Sequence, residues 1–143
     1  DKKEEFKTEE EVRKFLSVEL IQKDGKYYYR ERGINIQDAY TLVLFQYDAS
    51  IIGYGILKSV ESDPCTDVVN GKTVQYNGYF QFLAMSIHNI SHISLREIQQ
   101  IDGRIAQFSN SKWRIGLKHF DEVYSLLLKK QIEFSKIGLG CFA

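Results

Sequence analysis

The chain has 143 residues, of which 43% are hydrophobic and 27% charged, with 19 basic and 19 acidic side chains. This length and composition predict one globular domain and exclude disordered and fibrous classes. Zero net charge excludes coating of nucleic acid by charge alone, because phosphate neutralisation supplies most of that affinity. No apolar run approaches the ~18 residues of a membrane span, and we expect a cytoplasmic protein with free thiols at Cys65 and Cys141.

The first predicted element is an amphipathic helix in TEEEVRKFLSVEL, residues 8–20. Thr8 can cap this helix, and Glu11 stands at the position that completes a capping box. A turn is predicted at Asp24-Gly25, because this pair adopts positive φ at low cost. The sequence YYYR that follows is typical of a strand, and residues 31–36, ERGINI, are interpreted as an irregular link.

A strand pair is predicted next. TLVLFQY, residues 41–47, is apolar on both faces, so we expect a fully buried strand. After a turn at DAS, its partner IIGYGILKSVE places Tyr54 between Gly53 and Gly55. Glycines in a strand allow a sharp bend or the close approach of a planar ligand. A bend with nothing bound is the alternative.

The middle of the chain combines turn signals with short strands. SDPCTD, residues 62–67, holds the only proline and is predicted to be a loop. Asn70-Gly71 lies between β-branched runs and predicts a two-residue hairpin turn. Asn77-Gly78 indicates either a second turn or a bulge. In YFQFLAM, strict alternation directs Phe80 and Phe82 to one face of a strand.

Two helices complete the pattern. Ser94 and Glu97 form a second capping box, which predicts a short helix through Ile101. HFDEVYSLLLKKQ predicts an amphipathic helix with five apolar residues at helical spacing: Phe120, Val123, Tyr124, Leu127 and Leu128. These elements predict an α+β fold, a strongly curved, barrel-like antiparallel sheet of five or six strands with flanking helices.

Residues that could carry catalysis are sparse. His88 and His92 are four apart, which is a metal spacing only in a helix, and their surroundings favour an extended segment. His119 precedes a helix and is interpreted as structural or as a phosphate neighbour. No phosphate-binding loop or nucleophile elbow is present, so we expect neither an enzyme nor a cofactor or metal site.

The segment QFSNSKWRIGL, residues 107–117, carries a binding signal instead. Its tryptophan, Trp113, can stack on a planar ligand, and the flanking Lys112 and Arg114 can meet phosphate. Ser109 and Asn110 can hydrogen-bond the edge of such a ligand. A tryptophan buried in the core is the alternative interpretation.

The order of three segments resembles the EVE domain of the PUA-like superfamily, which is related to YTH domains. These segments are TLVLFQYDASIIGYGILKSVESDP, YFQFLAMSIHNISHISLREIQQ and AQFSNSKWRIGLKHFDEVYSLL. They correspond in order to the family's VLFY strand, its IVGxxxVxxEAYPD return strand, its pVTLxEL segment and its final loop and helix. The loop here lacks the first arginine of the family's RQGRLSV and has Trp113 where a smaller residue is usual.

The resemblance implies a single domain over residues 1–143, with an N-terminal helix at 1–18, a core at 26–128 and a tail at 129–143. It also implies a reader of a flipped base in double-stranded DNA, modified cytosine or methyladenine, that serves a restriction system. A fused or partner nuclease or NTPase would then carry any catalysis. A YTH-type RNA reader, a nuclease or deaminase that uses the three histidines, and a structural adaptor are the alternatives.

The resemblance further implies that residues 29–36, the strand pair around Tyr47 and Tyr54, and residues 108–113 converge on one pocket. The candidates for binding the base are Tyr29, Asn35, Tyr47, Tyr54, Tyr79, Ser109, Asn110 and Trp113. The candidates for binding phosphate are Arg30, Arg32, Lys112, Arg114 and Lys118.

Overall fold

The computed structural model describes residues 6–30, 40–105 and 115–140, with side chains of the last helix described through residue 136. It is an α+β fold built on a five-stranded antiparallel sheet. The strands are β1 (Lys26–Tyr29), β2 (Thr41–Tyr47), β3 (Ser50–Val69), β4 (Lys72–Phe82) and β5 (His88–Ser94). The helices are α1 (Glu9–Lys14), α2 (Leu20–Gln22), α3 (Leu95–Ile101) and α4 (Phe120–Gly140).

The long strand β3 organises the sheet. Its first part pairs with β2 on one side and β5 on the other, and its second part pairs with β4, which in turn pairs with β1. The strand order is therefore β1-β4-β3-β2, with β5 beside β3. Over the described residues β1 and β2 do not pair, so this sheet is open.

Three predicted turns are confirmed, and each uses positive φ. They are the pairs Asp24-Gly25, with φ of 58° and 76°, Asp48-Ala49, with 47° and 63°, and Asn70-Gly71, with 53° and 77°. In the β2–β3 and β3–β4 hairpins such consecutive positive angles match the twist of the flanking strands, whereas Asp24-Gly25 connects α2 to β1. Gly25 is further constrained, because a Cβ there would run into the carbonyl oxygen of Phe82.

The predicted N-terminal helix is also confirmed, and the helical segment continues beyond α1 as far as Gln22. Thr8 Oγ1 accepts the N–H of Glu11 at 3.2 Å, while the Glu11 carboxylate accepts the N–H of Lys7 at 3.0 Å instead of that of Thr8. After α1 the chain makes a π-helical turn over Phe15–Glu19 and then enters α2. At α3 the predicted capping box between Ser94 and Glu97 is complete.

The loop predicted within the β3–β4 hairpin is wrong. Residues 62–67 are part of β3, with Pro64 inside a register shift between Ser62 and Cys65. A bulge is where a strand tolerates proline, since the missing N–H then breaks no ladder bond. Of the two alternatives for Asn77-Gly78, the turn is wrong because both residues continue β4; the register shift lies opposite Asn77, and Gly78 faces Tyr29.

The predicted full burial of β2 is also wrong. Only Tyr47 is buried in this strand, and the other six residues are partly exposed. The reason is that β2 is an edge strand, so its outer side lacks a neighbour among the described residues. By contrast, the alternation predicted for residues 79–82 is confirmed, with Phe80 and Phe82 9% and 4% exposed.

Two apolar clusters cover opposite faces of the sheet. The first joins Val12, Leu16 and Leu20 of the N-terminal helical segment to the sheet. The second joins Ile98 of α3 and Val123 and Leu127 of α4 to the sheet. The neighbours Ile51 and Ile52 enter different clusters, and Ile52 stands at a register shift, after which Tyr54 joins Ile51 in the second cluster. The architecture is therefore helix–sheet–helix.

Of the five apolar residues predicted to share one face of the last helix, only Val123 and Leu127 are buried. Phe120, Tyr124 and Leu128 remain 43%, 38% and 40% exposed. The helix also extends through residue 140, into the segment predicted to be a tail. Among the described helices, none has both the length and the apolar character needed to cross a bilayer.

Candidate nucleic-acid interface

Three of the tyrosines predicted to bind a base lie in the core. Tyr29, Tyr47 and Tyr54 are 8%, 6% and 4% exposed, and Tyr54 belongs to a different cluster from the other two. The hydroxyl groups of Tyr29 and Tyr47 donate to the carbonyl oxygens of Glu61 and Phe6, each at 3.1 Å. These three rings therefore pack within the core and leave no exposed face on which a base could stack.

Tyr54 links the sheet to the last helix. Its hydroxyl donates to Oε1 of Gln131, and its ring lies 5.4 Å from that of His88. Burial, with a smaller contribution from Tyr124, raises the pKa of Tyr54 above its ordinary value of 10.0. The phenol therefore stays protonated at neutral pH, which keeps the hydrogen bond to Gln131.

The glycines on either side of Tyr54 make room for core side chains. A Cβ at Gly53 would lie 2.7 Å from Cδ1 of Leu16, and one at Gly55 would lie 3.2 Å from Cγ1 of Ile87. Leu16 is 1% exposed, so it occupies the space that Gly53 leaves. The expectation that these glycines admit a planar ligand is corrected: a leucine of the N-terminal helical segment fills the position.

The fourth tyrosine, Tyr79, lies in a partly exposed aromatic cluster on β1 and β4. It is paired directly across the strands with Tyr28, and their ring centroids are 5.6 Å apart. The ring of Tyr76 lies 5.8 Å from that of Tyr28. All three side chains are partly exposed. We refer to Tyr28, Tyr76 and Tyr79 as the tyrosine face.

A basic group lies against the tyrosine face. Nζ of Lys26 is 5.1 Å from the ring centroid of Tyr79, within the range of a cation–π contact. Arg30, the residue after β1, has an exposed side chain, and its carbonyl oxygen accepts from Nδ2 of Asn77 at 2.5 Å. Aromatic rings beside cations are the combination that binds unstacked nucleotides. Arg30 directly precedes residues 31–39, so Arg32 and Asn35 lie outside the described residues.

A second group of cations lies where residues 106–114 join the fold. The buried carboxylate of Asp102 accepts from Nε and Nη2 of Arg104 at 3.0 and 2.8 Å, and Nε2 of His119 is 4.0 Å away. The hydrogen bonds from the Arg104 side chain hold the pKa of Asp102 well below its ordinary value of 3.8. Arg104 is thus fixed at one edge while 70% of its side chain is exposed.

Lys118, predicted to bind phosphate, is exposed and directly precedes His119. Ile105 and Ile115, the residues on either side of 106–114, belong to or pack against the second cluster, as does Leu42 of β2. The chain therefore leaves the described fold after Ile105 and re-enters it at Ile115 beside the second cluster. Five predicted site residues fall in residues 106–114 and are not described: Ser109, Asn110, Lys112, Trp113 and Arg114.

The three histidines are held in separate places. His88 packs on Tyr54, His119 approaches Asp102, and Nε2 of His92 contacts Oε1 of Glu9 at 2.5 Å. Within residues 6–30, 40–105 and 115–136, no three His, Cys, Asp or Glu side chains gather where they could hold one metal ion. The segment of His88 and His92 is extended, as its sequence indicates.

A surface groove of about 610 Å³ lies between α3 and α4. Its lining includes the carboxylates of Glu97, Asp121 and Glu122 and the ammonium of Lys129. A groove with three carboxylates repels phosphate, and none of the predicted base-binding residues lines it. It does not serve the predicted interface.

Sequence reasoning missed Tyr28, Tyr76, Asp102 and Arg104. The run YYYR already indicated that the middle tyrosine points away from its neighbours, because strand side chains alternate. The pairing of β1 with β4, which brings Tyr28 to Tyr79, had no signal in the sequence.

Comparison with protein-family models, with curated proteins and with solved structures found no match to this chain.

Proposed function

We propose that this chain is a non-catalytic module that holds an unstacked nucleobase against the tyrosine face, with Lys26 and Arg30 contacting the adjoining phosphates. The observation that carries the proposal is the cross-strand pair of partly exposed rings, Tyr28 and Tyr79, with the ammonium of Lys26 over the Tyr79 ring. The base belongs to duplex DNA and is flipped out of the helix. Tyr29, Tyr47 and Tyr54 stay in the core and stabilise the fold.

The energies are compatible with this role. Extracting a base from a duplex costs a few kcal/mol, and stacking on an aromatic side chain returns ~1–3 kcal/mol per base. One ring alone does not offset extraction, so a face of several rings with adjacent cations is needed. With zero net charge on the chain, phosphate contacts are few, and affinity should fall only moderately as salt rises.

The resemblance to EVE domains narrows the ligand further. It supports a PUA-like curved sheet, a modified base, and a recognition domain of a restriction system whose nuclease or NTPase lies on another domain or subunit. As the resemblance implies, residues 31–39 and 106–114 would provide the edge contacts through Asn35, Ser109 and Asn110. A methyl group placed in an apolar notch adds about 1 kcal/mol, or roughly fivefold in affinity.

A titration of labelled duplexes tests this proposal. Fluorescence anisotropy compares one sequence carrying cytosine, methylcytosine, hydroxymethylcytosine or methyladenine at a single position. The proposal predicts that one modified duplex binds about fivefold or more tightly than the plain duplex. Equal affinity for all four duplexes would contradict the proposal that the chain recognises a modified base.

The same titration separates the alternatives. Preferential competition by RNA of the same sequence favours a YTH-type reader over a DNA reader. Absence of binding to every nucleic acid favours an adaptor whose aromatic residues only pack. The control is Met85→Ala, which removes an apolar side chain that is 89% exposed and lies outside the tyrosine face, and should leave binding unchanged.

A further inference from the structure

The last helix presents a second row of apolar side chains, apart from the side buried in the second cluster. Phe120, Tyr124, Leu128 and Ile132 follow one another at steps of four residues and are 43%, 38%, 40% and 56% exposed. The rings of Phe120 and Tyr124 stack with centroids 5.7 Å apart and planes 8° from parallel. We refer to these four residues as the apolar row.

The apolar row is a continuous surface feature of the kind that marks an interface. Single exposed apolar side chains are common, but four adjoining ones on one helix are not. Leu117, 86% exposed, lies just before the row and extends it. Val123 and Leu127 of the same helix belong to the second cluster, which includes residues of the sheet. The apolar row runs along the exposed side of α4 next to them.

The distribution of charge on α4 indicates what covers the row. Its first turn carries the exposed Asp121 and Glu122, whereas in the later turns Lys129, Lys130 and Lys136 outnumber Glu133, and Lys129 and Lys136 are exposed. Lys136 also continues the row by one more step of four. A second α4 laid antiparallel would place the acidic end of each helix near the basic part of the other, and antiparallel helix dipoles favour the same arrangement.

The geometry of the row also suits a second helix. Residues at steps of four form a ridge, and two such ridges interdigitate when helices cross at about −50°. At the exposures given, the four side chains offer on the order of 400 Å² per chain, or ~800 Å² for a pair. That area lies below the ~1,200–2,000 Å² of stable complexes, so we expect weak, reversible association.

We propose that the apolar row of α4 is the contact surface of a reversible, antiparallel dimer of this chain. The proposal does not depend on nucleic-acid binding. If both hold, the dimer presents two tyrosine faces, and linking two binding sites raises the affinity for a ligand that reaches both.

Sedimentation velocity of the full chain from ~1 to ~500 µM tests the dimer. We expect a concentration-dependent rise from monomer to dimer. Leu128→Glu combined with Ile132→Glu places carboxylates in the row and should weaken association at least tenfold. Val68→Glu is the matched control, because it makes the same change at an apolar residue that is 66% exposed on the β3–β4 hairpin; it should leave association unchanged.

A charge exchange decides the outcome even if the double variant fails to fold. Asp121→Lys and Lys136→Glu each alter an exposed position, and each should weaken self-association at low salt. Mixing the two variants should restore association between them. A wild-type chain that sediments as a monomer across the whole range overturns the proposal, as does a mixture that associates no better than either variant alone.

Discussion

The contact between Leu16 and the position of Gly53 gives the sharpest test of how the N-terminal helical segment is seated on the sheet. A Cβ at residue 53 would lie 2.7 Å from Cδ1 of Leu16 and 3.0 Å from the carbonyl oxygen of His88. Gly53→Ala therefore overpacks this site, at a cost of ~1–3 kcal/mol in the free energy of unfolding. Leu16→Ala opens a cavity at a side chain that is 1% exposed and should cost ~2–5 kcal/mol.

The double variant should be less destabilised than the sum of the two. Without the leucine side chain, the added methyl group occupies part of the cavity, and only the contact with the carbonyl oxygen of His88 remains. We expect a coupling free energy of at least ~1 kcal/mol, as is typical of residues in direct contact. The measurement is urea unfolding followed by far-UV circular dichroism on the wild type, both single variants and the double variant.

The control pairs Gly53→Ala with Leu20→Ala. Leu20 is equally buried in the first cluster, but it is not among the nearest neighbours of a Cβ at residue 53. This pair should be additive within ~0.5 kcal/mol. Additivity in the Leu16 pair as well would refute the account of why glycine stands at position 53.

Three other predictions concern stability and are tested separately. Gly78→Ala should cost ~3 kcal/mol or more, measured by thermal unfolding, because its Cβ would run into the carbonyl oxygen of Glu61. Asp102→Asn should lower the free energy of unfolding at neutral pH. Because the pKa of Asp102 is lowered in the folded state, the difference in unfolding free energy from the wild type should persist above pH 3.8 and shrink as the pH falls through the folded pKa. Arg13→Met removes a hydrogen-bond donor to the carbonyl oxygen of Ile90 at 2.7 Å and should lower the free energy of unfolding in urea by about 2 kcal/mol. The control Lys14→Met, at an exposed position, should not lower it.

Much of the fold could be predicted because its signals are local. The hairpin turn at Asn70-Gly71 and the capping box of Ser94 and Glu97 depend on a few adjacent residues, and both are confirmed. The alternation of residues 79–82 likewise reports which side chains face the core. These features need no knowledge of which strands pair.

The predictions that failed depend on partners distant in sequence. Pro64 ends a strand by local rules, yet β4 continues the pairing across a bulge at that point. Gly78 resembles a turn residue, but it is required by the approach of Tyr29 from β1. The full burial expected of β2 fails because the apolar pattern does not tell an edge strand from a central one.

The candidate site shows the same limit. The chain has nine tyrosines and nine phenylalanines, and composition does not tell which of these rings stay exposed. The order of strands buries Tyr29 and Tyr54 and leaves Tyr28 and Tyr79 on the surface. The sequence also did not predict which apolar residues of the last helix stay exposed. Its apolar residues recur at steps of three and four, and this spacing does not separate the buried side from the apolar row.

The most direct test of the account is the affinity of Tyr28→Ala combined with Tyr79→Ala for a duplex with one flipped or modified base, measured by anisotropy at fixed salt. Loss of two stacking rings predicts a decrease of at least ~30-fold, from ~1 kcal/mol or more per ring. Circular dichroism confirms that the variant is folded. Unchanged affinity in a folded variant would contradict the claim that the tyrosine face holds the base.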